Sequence, residues 1–503
     1  MAAATLALAT NPGGYLLVLA IIVPVMGMIA SFVVGGPSAE RIALAVMPAG
    51  LGIALAIAVG VWWEQVPLVY ILGGWAPPLG IALRADGFSA VMLVTAALVV
   101  TAAGYFARPL FATPPELAEG RGPLAFWTLL LGLWAALNMV FLGGDLFNLY
   151  VALELLTFAA VPLVCLDGRP ETLRAALRYL LFALIGSVFY LLGVALLYGA
   201  YGTLDIVLLA ERIRAGAVAP ATLVAGGLMT AGLLAKTALF PLHLWLPPAH
   251  ANAPAPASAV LSALVVKGSF FLIVRLWFDV MPVLASDVAM GLLGALGSGA
   301  ILFGSVLALR QQRLKLLIAY STVAQIGYLF LMFPLAAGSE PWNSQAWNGG
   351  IMQALSHAFA KAAMFLGAGL VAESLGHDRI ADLRGVGRAM PMTMFAFGLG
   401  GLSLMGLPPS GGFTAKWLLL QATAESGQWF WAAIVLGGGL LAGGYVYRVV
   451  APALAGSDLV VQAHPSRQRE AIVLTLAIAA LLLGFAPPHF LDLLQVGRGV
   501  ILP

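Results

Sequence analysis

Long apolar runs, separated by charged or Pro/Gly-rich breaks, recur from one end of the 503-residue chain to the other. Each is long enough to cross about 30 Å of hydrocarbon as a helix, and the two-residue alternation of a membrane β-barrel is missing. The pattern predicts fourteen spans, at 13–35, 41–62, 86–106, 123–142, 145–166, 173–200, 219–246, 251–278, 286–309, 314–337, 347–373, 389–421, 428–450 and 470–487. The expected fold class is an all-α polytopic membrane protein.

Two of these spans are interrupted. In the seventh, FPLHLWLPPAH follows Lys236; in the twelfth, GLPPSGG (Gly406 to Gly412) precedes Lys416. Proline removes a backbone donor and clashes with the preceding turn, so each segment is expected to break inside the membrane. Broken backbone at that depth is tolerated only where protein or a water-filled cavity surrounds it. Two broken helices five spans apart, each with a lysine, predict two five-helix repeats, a known way of building a transport site at the midplane. The expected domains are 1–122 (helices 1–3), 123–280 (first repeat), 281–452 (second repeat) and 453–503 (helix 14 and tail).

Composition agrees: 62% hydrophobic, 9% charged, mean hydropathy +1.00, unlike any soluble domain of this length. The net charge of +3 comes with no basic block or tail, so the lipid bilayer is an expected partner and nucleic acid is not. Cys165 is the single cysteine and lies in an apolar run, which leaves no disulfide framework and no Cys/His metal cluster. There is no HExxH, phosphate loop, dinucleotide fingerprint or nucleophile elbow, so neither a metal nor a cofactor is expected and any catalysis is vectorial. The start, MAAATLALATNPGGY, lacks the basic region of a signal peptide, so the first apolar segment is expected to remain as a helix.

Arginine and lysine are distributed differently. Arginines crowd the loops reached after odd-numbered spans, among them Arg41, Arg108, Arg169, Arg310, Arg379 and Arg467, while the other side has Arg84, Arg212, Arg214 and Arg498, with Arg275 near a helix end. That bias predicts both termini outside a bacterial-type plasma membrane. Of the five lysines, Lys236, Lys267, Lys361 and Lys416 fall well within spans, and Lys315 belongs with the loop charges. A lysine at a bilayer centre costs roughly 2.5–3.5 kcal/mol on insertion scales. Arginine keeps its proton in any protein setting, whereas a desolvated lysine can load and release one near neutral pH. The division points to proton chemistry.

Other candidates follow from their position. Glu154, in DLFNLYVALELLTF, is the one acidic residue deep in a span; it is read as the partner of Lys236 or as a structural ion-pair member. Asp145, at the start of that span, is an N-cap or a proton-entry group. His243 and His250 flank the seventh-span break and either relay protons or cap freed backbone groups. His357 and Lys361, four residues apart in SHAFAKAAMFL, share a helix face. Lys416 extends the row or snorkels to an interface. Ser321, Thr322 and Gln325, in AYSTVAQIGYL, bind water along the path or hold helices together.

The segments GDLFNLYVALELL, LLAKTALFPLHLWLPPAHANAPAPASAVLSALVVK, LKLLIAYSTVAQIGYL, SHAFAKAAMFLGAG and GLPPSGGFTAKW, in this order, closely resemble the antiporter-like proton-translocating subunits of respiratory complex I, membrane-bound hydrogenases and Mrp-type Na⁺/H⁺ antiporters. The likeness covers about residues 65 to 450, and YILGGWAPPLGIALRADGFSAVML is most similar to the D-type subunit of the Mrp antiporters. The Pro-Ala-Pro-Ala-Ser segment after His250 departs from the Pro-Pro-Ile-Pro type of that subunit. The resemblance implies fourteen helices with inverted five-helix repeats and broken helices 7 and 12, and a hydrophilic axis at mid-membrane. It matches Glu154, Lys236, Lys267 and Lys416 to the glutamate of helix 5 and the lysines of helices 7, 8 and 12. The function it implies is proton translocation within a multisubunit complex, with other membrane subunits as partners and protons, with Na⁺ as a candidate, as the ions moved. The alternatives are a proton-pumping subunit of a complex I-like NADH dehydrogenase or hydrogenase, and an energising subunit for inorganic carbon uptake.

Overall fold

The computed structural model describes residues 9–216, 218–456, 459 and 461–498. In hydrocarbon a backbone must satisfy its own hydrogen bonds, and a helix does so within one segment. The chain runs through α1 (Tyr15–Val34) and α2 (Gly36–Glu64), then a two-stranded hairpin of β1 (Leu68–Ile71) and β2 (Ala82–Ala85). It continues through α3 (Gly87–Ala107), α4 (Arg121–Leu142), α5 (Leu146–Val164) and α6 (Pro170–Tyr201). A short α7 (Ile206–Ala215) follows, then the half-helices α8 (Pro220–Thr237) and α9 (Leu246–Asn252). Next come α10 (Ala255–Val280), α11 (Asp287–Arg310), α12 (Leu314–Ala336) and α13 (Pro341–Leu375). A second pair of half-helices, α14 (Pro391–Met405) and α15 (Gly411–Glu425), precedes α16 (Trp429–Leu454) and α17 (Arg467–Phe485).

Twelve helices among the described residues are long and apolar enough to cross a membrane. With α8/α9 and α14/α15 as broken seventh and twelfth passes, the chain makes fourteen passes. Passes four to eight and nine to thirteen are five crossings each; five is odd, so the second set enters from the opposite side and is inverted relative to the first. The termini, whose side the arginine bias addresses, reach beyond the described residues.

The breaks differ in detail from the expectation. The seventh pass does not stop near residue 246. Pro247 and Pro248 lie in the first turn of α9, where a missing N–H leaves no hydrogen bond unmade, so they start a helix rather than end one. In the twelfth pass, Ser410 caps α15 by accepting from the Phe413 amide at 3.2 Å. The hairpin and α7 leave no mark in the hydropathy pattern. α7 buries Ile206, Leu209, Ala210 and Ile213 and keeps Arg214 exposed, a surface-lying amphipathic piece rather than a pass.

Burial sorts the helices. The apolar windows of α10 and α13 are wholly enclosed by protein, whereas α1 and α2 are mostly uncovered. The two most enclosed helices therefore carry Lys267, His357 and Lys361.

Candidate functional site: a row of buried amines

The first cluster sits where α5, α6 and α8 meet. Lys236, in the last turn of the half-helix α8, places Nζ 3.1 Å from Glu154 Oε1 and 3.0 Å from Thr157 Oγ1. The Ser187 hydroxyl contacts the same carboxylate oxygen. A small cavity, with room for about one water molecule, is lined by Leu153, Thr157, Tyr179, Lys236 and Ser269 among others. Two glycines let the helices come this close. A Cβ on Gly232 would lie 2.2 Å from the Gly186 carbonyl, and one on Gly186 would lie 2.6 Å from that of Gly232. Gly232→Ala is expected to wedge α6 from α8 at a cost of about 1–3 kcal/mol, read as a lowered thermal midpoint of the detergent-purified protein.

Hydroxyls join α8 to the helix that carries the next lysine. Thr237 Oγ1 donates to Ser269 Oγ at 2.9 Å, bridging α8 to α10 two residues from Lys267. α10 widens to a π-helical turn at Leu261–Val265, a local register change that often accompanies function. Just beyond it, Lys267 Nζ reaches back to the Ser262 carbonyl at 2.7 Å. Ser262 Oγ lies 2.9 Å from Thr322 Oγ1, which donates to the Ile318 carbonyl at 3.0 Å. That carbonyl also accepts from Lys361 Nζ at 3.0 Å, and Ser321 Oγ contacts the same ammonium. His250 and His357 are fully enclosed within electrostatic reach of Lys267 and Lys361. Among the described residues their ring nitrogens meet no hydrogen-bond partner.

Amides and carbonyls carry the row onward. Gln353 Nε2 donates to Gln325 Oε1 at 2.9 Å, and Gln325 Nε2 donates to the Leu404 carbonyl at 3.1 Å and the Tyr445 hydroxyl at 3.2 Å. Leu404 O accepts Lys416 Nζ at 2.7 Å, Met405 O accepts it at 3.1 Å, and the ammonium stands 4.2 Å over the Tyr328 ring. These carbonyls are the ones the break leaves without helical partners at the C-terminus of α14, where a cation is favoured. Gly406 turns the chain at φ +80°, and a Cβ there would fall 2.5 Å from Lys416 Cδ, so both backbone and packing require glycine.

Glu154, Lys236, Lys267, His250, His357, Lys361, Ser321, Gln325 and Lys416 thus lie along one buried polar row. Asp145 and His243 stand apart from it. Asp145 caps α5 by accepting from the Phe147 and Asn148 amides at 2.9 and 3.0 Å, and burial pushes its carboxyl above the usual value. His243 packs on Phe240 and Phe303, ring centroids 5.7 and 5.4 Å away. The hydroxyls of Thr157, Ser187, Thr237, Ser262 and Ser269 carry no signal in the sequence, because Ser and Thr are ordinary in membrane helices. Gln353 is detectable there as an amide in an otherwise apolar run. Arg275, a helix-end charge by its position in the sequence, pairs with Asp86 across the fold and with Asp279 one turn along its own helix.

Fold and site together define a multi-pass helical membrane protein with amines buried on intact and interrupted helices. Residues 143–442 match the family described as NADH:quinone oxidoreductase/Mrp antiporter, transmembrane, and the chain belongs to that family. It is 38% identical over 389 residues to the N-type subunit of NADH-quinone oxidoreductase from Desulforudis audaxviator, covering 76% of this chain and 75% of that protein. It is 29% identical over 462 residues to the D-type subunit of the Na⁺/H⁺ antiporter from Alkalihalophilus pseudofirmus, covering 90% of each. Among solved structures, a chain of the Mrp complex from Dietzia sp. superimposes with a TM-score of 0.83 at 25% identity over 97% of both chains.

Proposed function

We propose that the chain is the proton-translocating membrane subunit of a multisubunit monovalent cation/proton antiporter of the Mrp type. The observation that carries this reading is the row of four buried lysines, one at each helix break and two between. The Mrp assignment rests on the similarity to the D-type antiporter subunit, which runs over 90% of both chains. Protons load near Glu154 and Lys236, pass through Lys267 and the His357/Lys361 region, and leave through Lys416. Lys267 and Lys361 are linked through Ser262, Thr322 and the Ile318 carbonyl, and like charges on neighbouring amines repel, which transmits a push along the row. The repeats at 123–280 and 281–452 are the two halves of this path, other membrane subunits surround it, and Na⁺ is the candidate coupled ion. Both termini lie outside a bacterial plasma membrane, as the arginine bias requires.

The higher identity to the N-type oxidoreductase subunit favours a second reading, a proton-pumping subunit of a redox-driven complex whose electron carriers sit on other chains. Co-purification separates the two: small hydrophobic antiporter subunits support the first, and iron–sulfur proteins support the second. In inverted vesicles containing the assembled complex, Glu154→Ala and Lys236→Ala are each expected to lower ΔpH-dependent transport about tenfold or more. Full transport by both variants would refute proton translocation by this row.

A further inference from the structure

Glu154 is held by more than its lysine. Ser187 is 2% exposed on α6, with its hydroxyl against Glu154 Oε1 and 2.9 Å from the Ala183 carbonyl one turn back. A serine has one hydroxyl proton, so it donates to one of these acceptors at a time. The same Oε1 takes the Lys236 ammonium.

We propose that Ser187 is a positioning residue for the Glu154–Lys236 pair: its hydroxyl donates to the carboxylate while Glu154 is charged and turns to the Ala183 carbonyl when Glu154 takes up a proton. Ser187 itself gains and loses no proton. The proposal rests on the transport role given above to Glu154 and Lys236. Its geometry comes from the helix contact. Gly186 precedes Ser187, Gly232 lies one turn before Lys236, and the two backbones touch there. The hydroxyl and the ammonium therefore meet at one carboxylate oxygen. The turn back to Ala183 O is a bond that serines in helices readily make, so both hydroxyl positions are satisfied and neither leaves a buried donor stranded. The titratable groups facing Glu154 are Lys236 from α8 and Tyr179 from α6, and α5 adds the Thr157 hydroxyl beside Lys236.

A donor to the charged form makes the carboxylate harder to protonate. In assembled complexes, Ser187→Ala is expected to move the acid limb of the transport pH profile up by about one pH unit. The infrared band of protonated Glu154, identified by its loss in Glu154→Gln, should appear at correspondingly higher pH. Ser187→Thr keeps the hydroxyl and should restore both. Ser187→Cys, a weak donor of similar volume, should shift both in the same direction as Ala. A Ser187→Ala or Ser187→Cys complex with lower transport but an unmoved pH profile and infrared band would overturn the proposal, since a packing role alone predicts that. Full transport by Glu154→Gln together with an infrared shift in Ser187→Ala would refute the transport role and leave the positioning role standing.

Discussion

Lys361→Met is expected to cut transport by about 10²-fold or more while raising the thermal midpoint of the purified complex. The amine is completely buried in α13, and no carboxylate pairs with it among the described residues. Its bonds go to the Ile318 carbonyl and the Ser321 hydroxyl. A charge in that position is costly, because hydrogen bonds to neutral groups recover only part of the lost hydration. Methionine fills nearly the same volume, so no cavity is left. Both polar partners stay satisfied, since Ile318 O still accepts from Thr322 and Ser321 Oγ still donates to that carbonyl at 2.9 Å. The two effects have opposite signs, which separates this variant from a simple folding defect. Scanning fluorimetry and ΔpH-dependent dye quenching on one preparation read both. A lowered midpoint would mean that Lys361 stabilises the fold, and undiminished transport would remove it from the proton path.

The same energetics explain what can be read from sequence. Lysines in apolar runs are conspicuous because lipid penalises them, and the prolines mark both interruptions, although Pro247 and Pro248 open a half-helix rather than end one. Glu154 stands out for the same reason as the lysines, and it lies on Lys236 although the two are 82 positions apart in the chain. The connecting groups have no such signal. Ser187 and Thr237 sit among residues where a hydroxyl usually bonds its own helix, and only the three-dimensional contact of α6 with α5, or of α8 with α10, gives them a partner elsewhere. The carbonyls that hold Lys267, Lys361 and Lys416 are invisible in sequence altogether, since every residue has one. The Ser262 carbonyl becomes available where α10 widens and those of Leu404 and Met405 where α14 ends, while the Ile318 carbonyl takes Lys361 from within α12.

Arg275 presents the reverse case, a charge legible in sequence whose partners are not, and Arg275→Met is expected to be strongly destabilising. Its guanidinium donates to Asp86 Oδ1 at 2.7 Å, Asp279 Oδ2 at 2.8 Å and Ser89 Oγ at 2.9 Å, with a further contact to Asp86 Oδ2. Ser89 in turn donates to the Phe141 carbonyl at 2.7 Å, so the cluster ties together α3, α4 and the end of α10. Removing one member of a buried ion cluster costs about 3–5 kcal/mol, because the Asp86 carboxylate is left buried without its guanidinium. Asp86 also caps α3, accepting from the Ser89 amide at 2.8 Å. Asp86→Asn keeps that cap while losing the charge and should cost less. Burial would push the Asp86 carboxyl up, but the charge and hydrogen bonds of Arg275 outweigh it and hold the group below its ordinary value of 3.8. A folded-state value below the unfolded one means that the stabilisation is fully present above about pH 4 and is lost as pH falls through the depressed value. The wild-type midpoint should therefore exceed that of Asp86→Asn by a constant margin from neutral pH down to about 4, and the margin should shrink in more acid buffer. A margin that stays constant down to about pH 2, measured by scanning fluorimetry in detergent, would mean that the charge of Asp86 does not account for the difference between the two proteins.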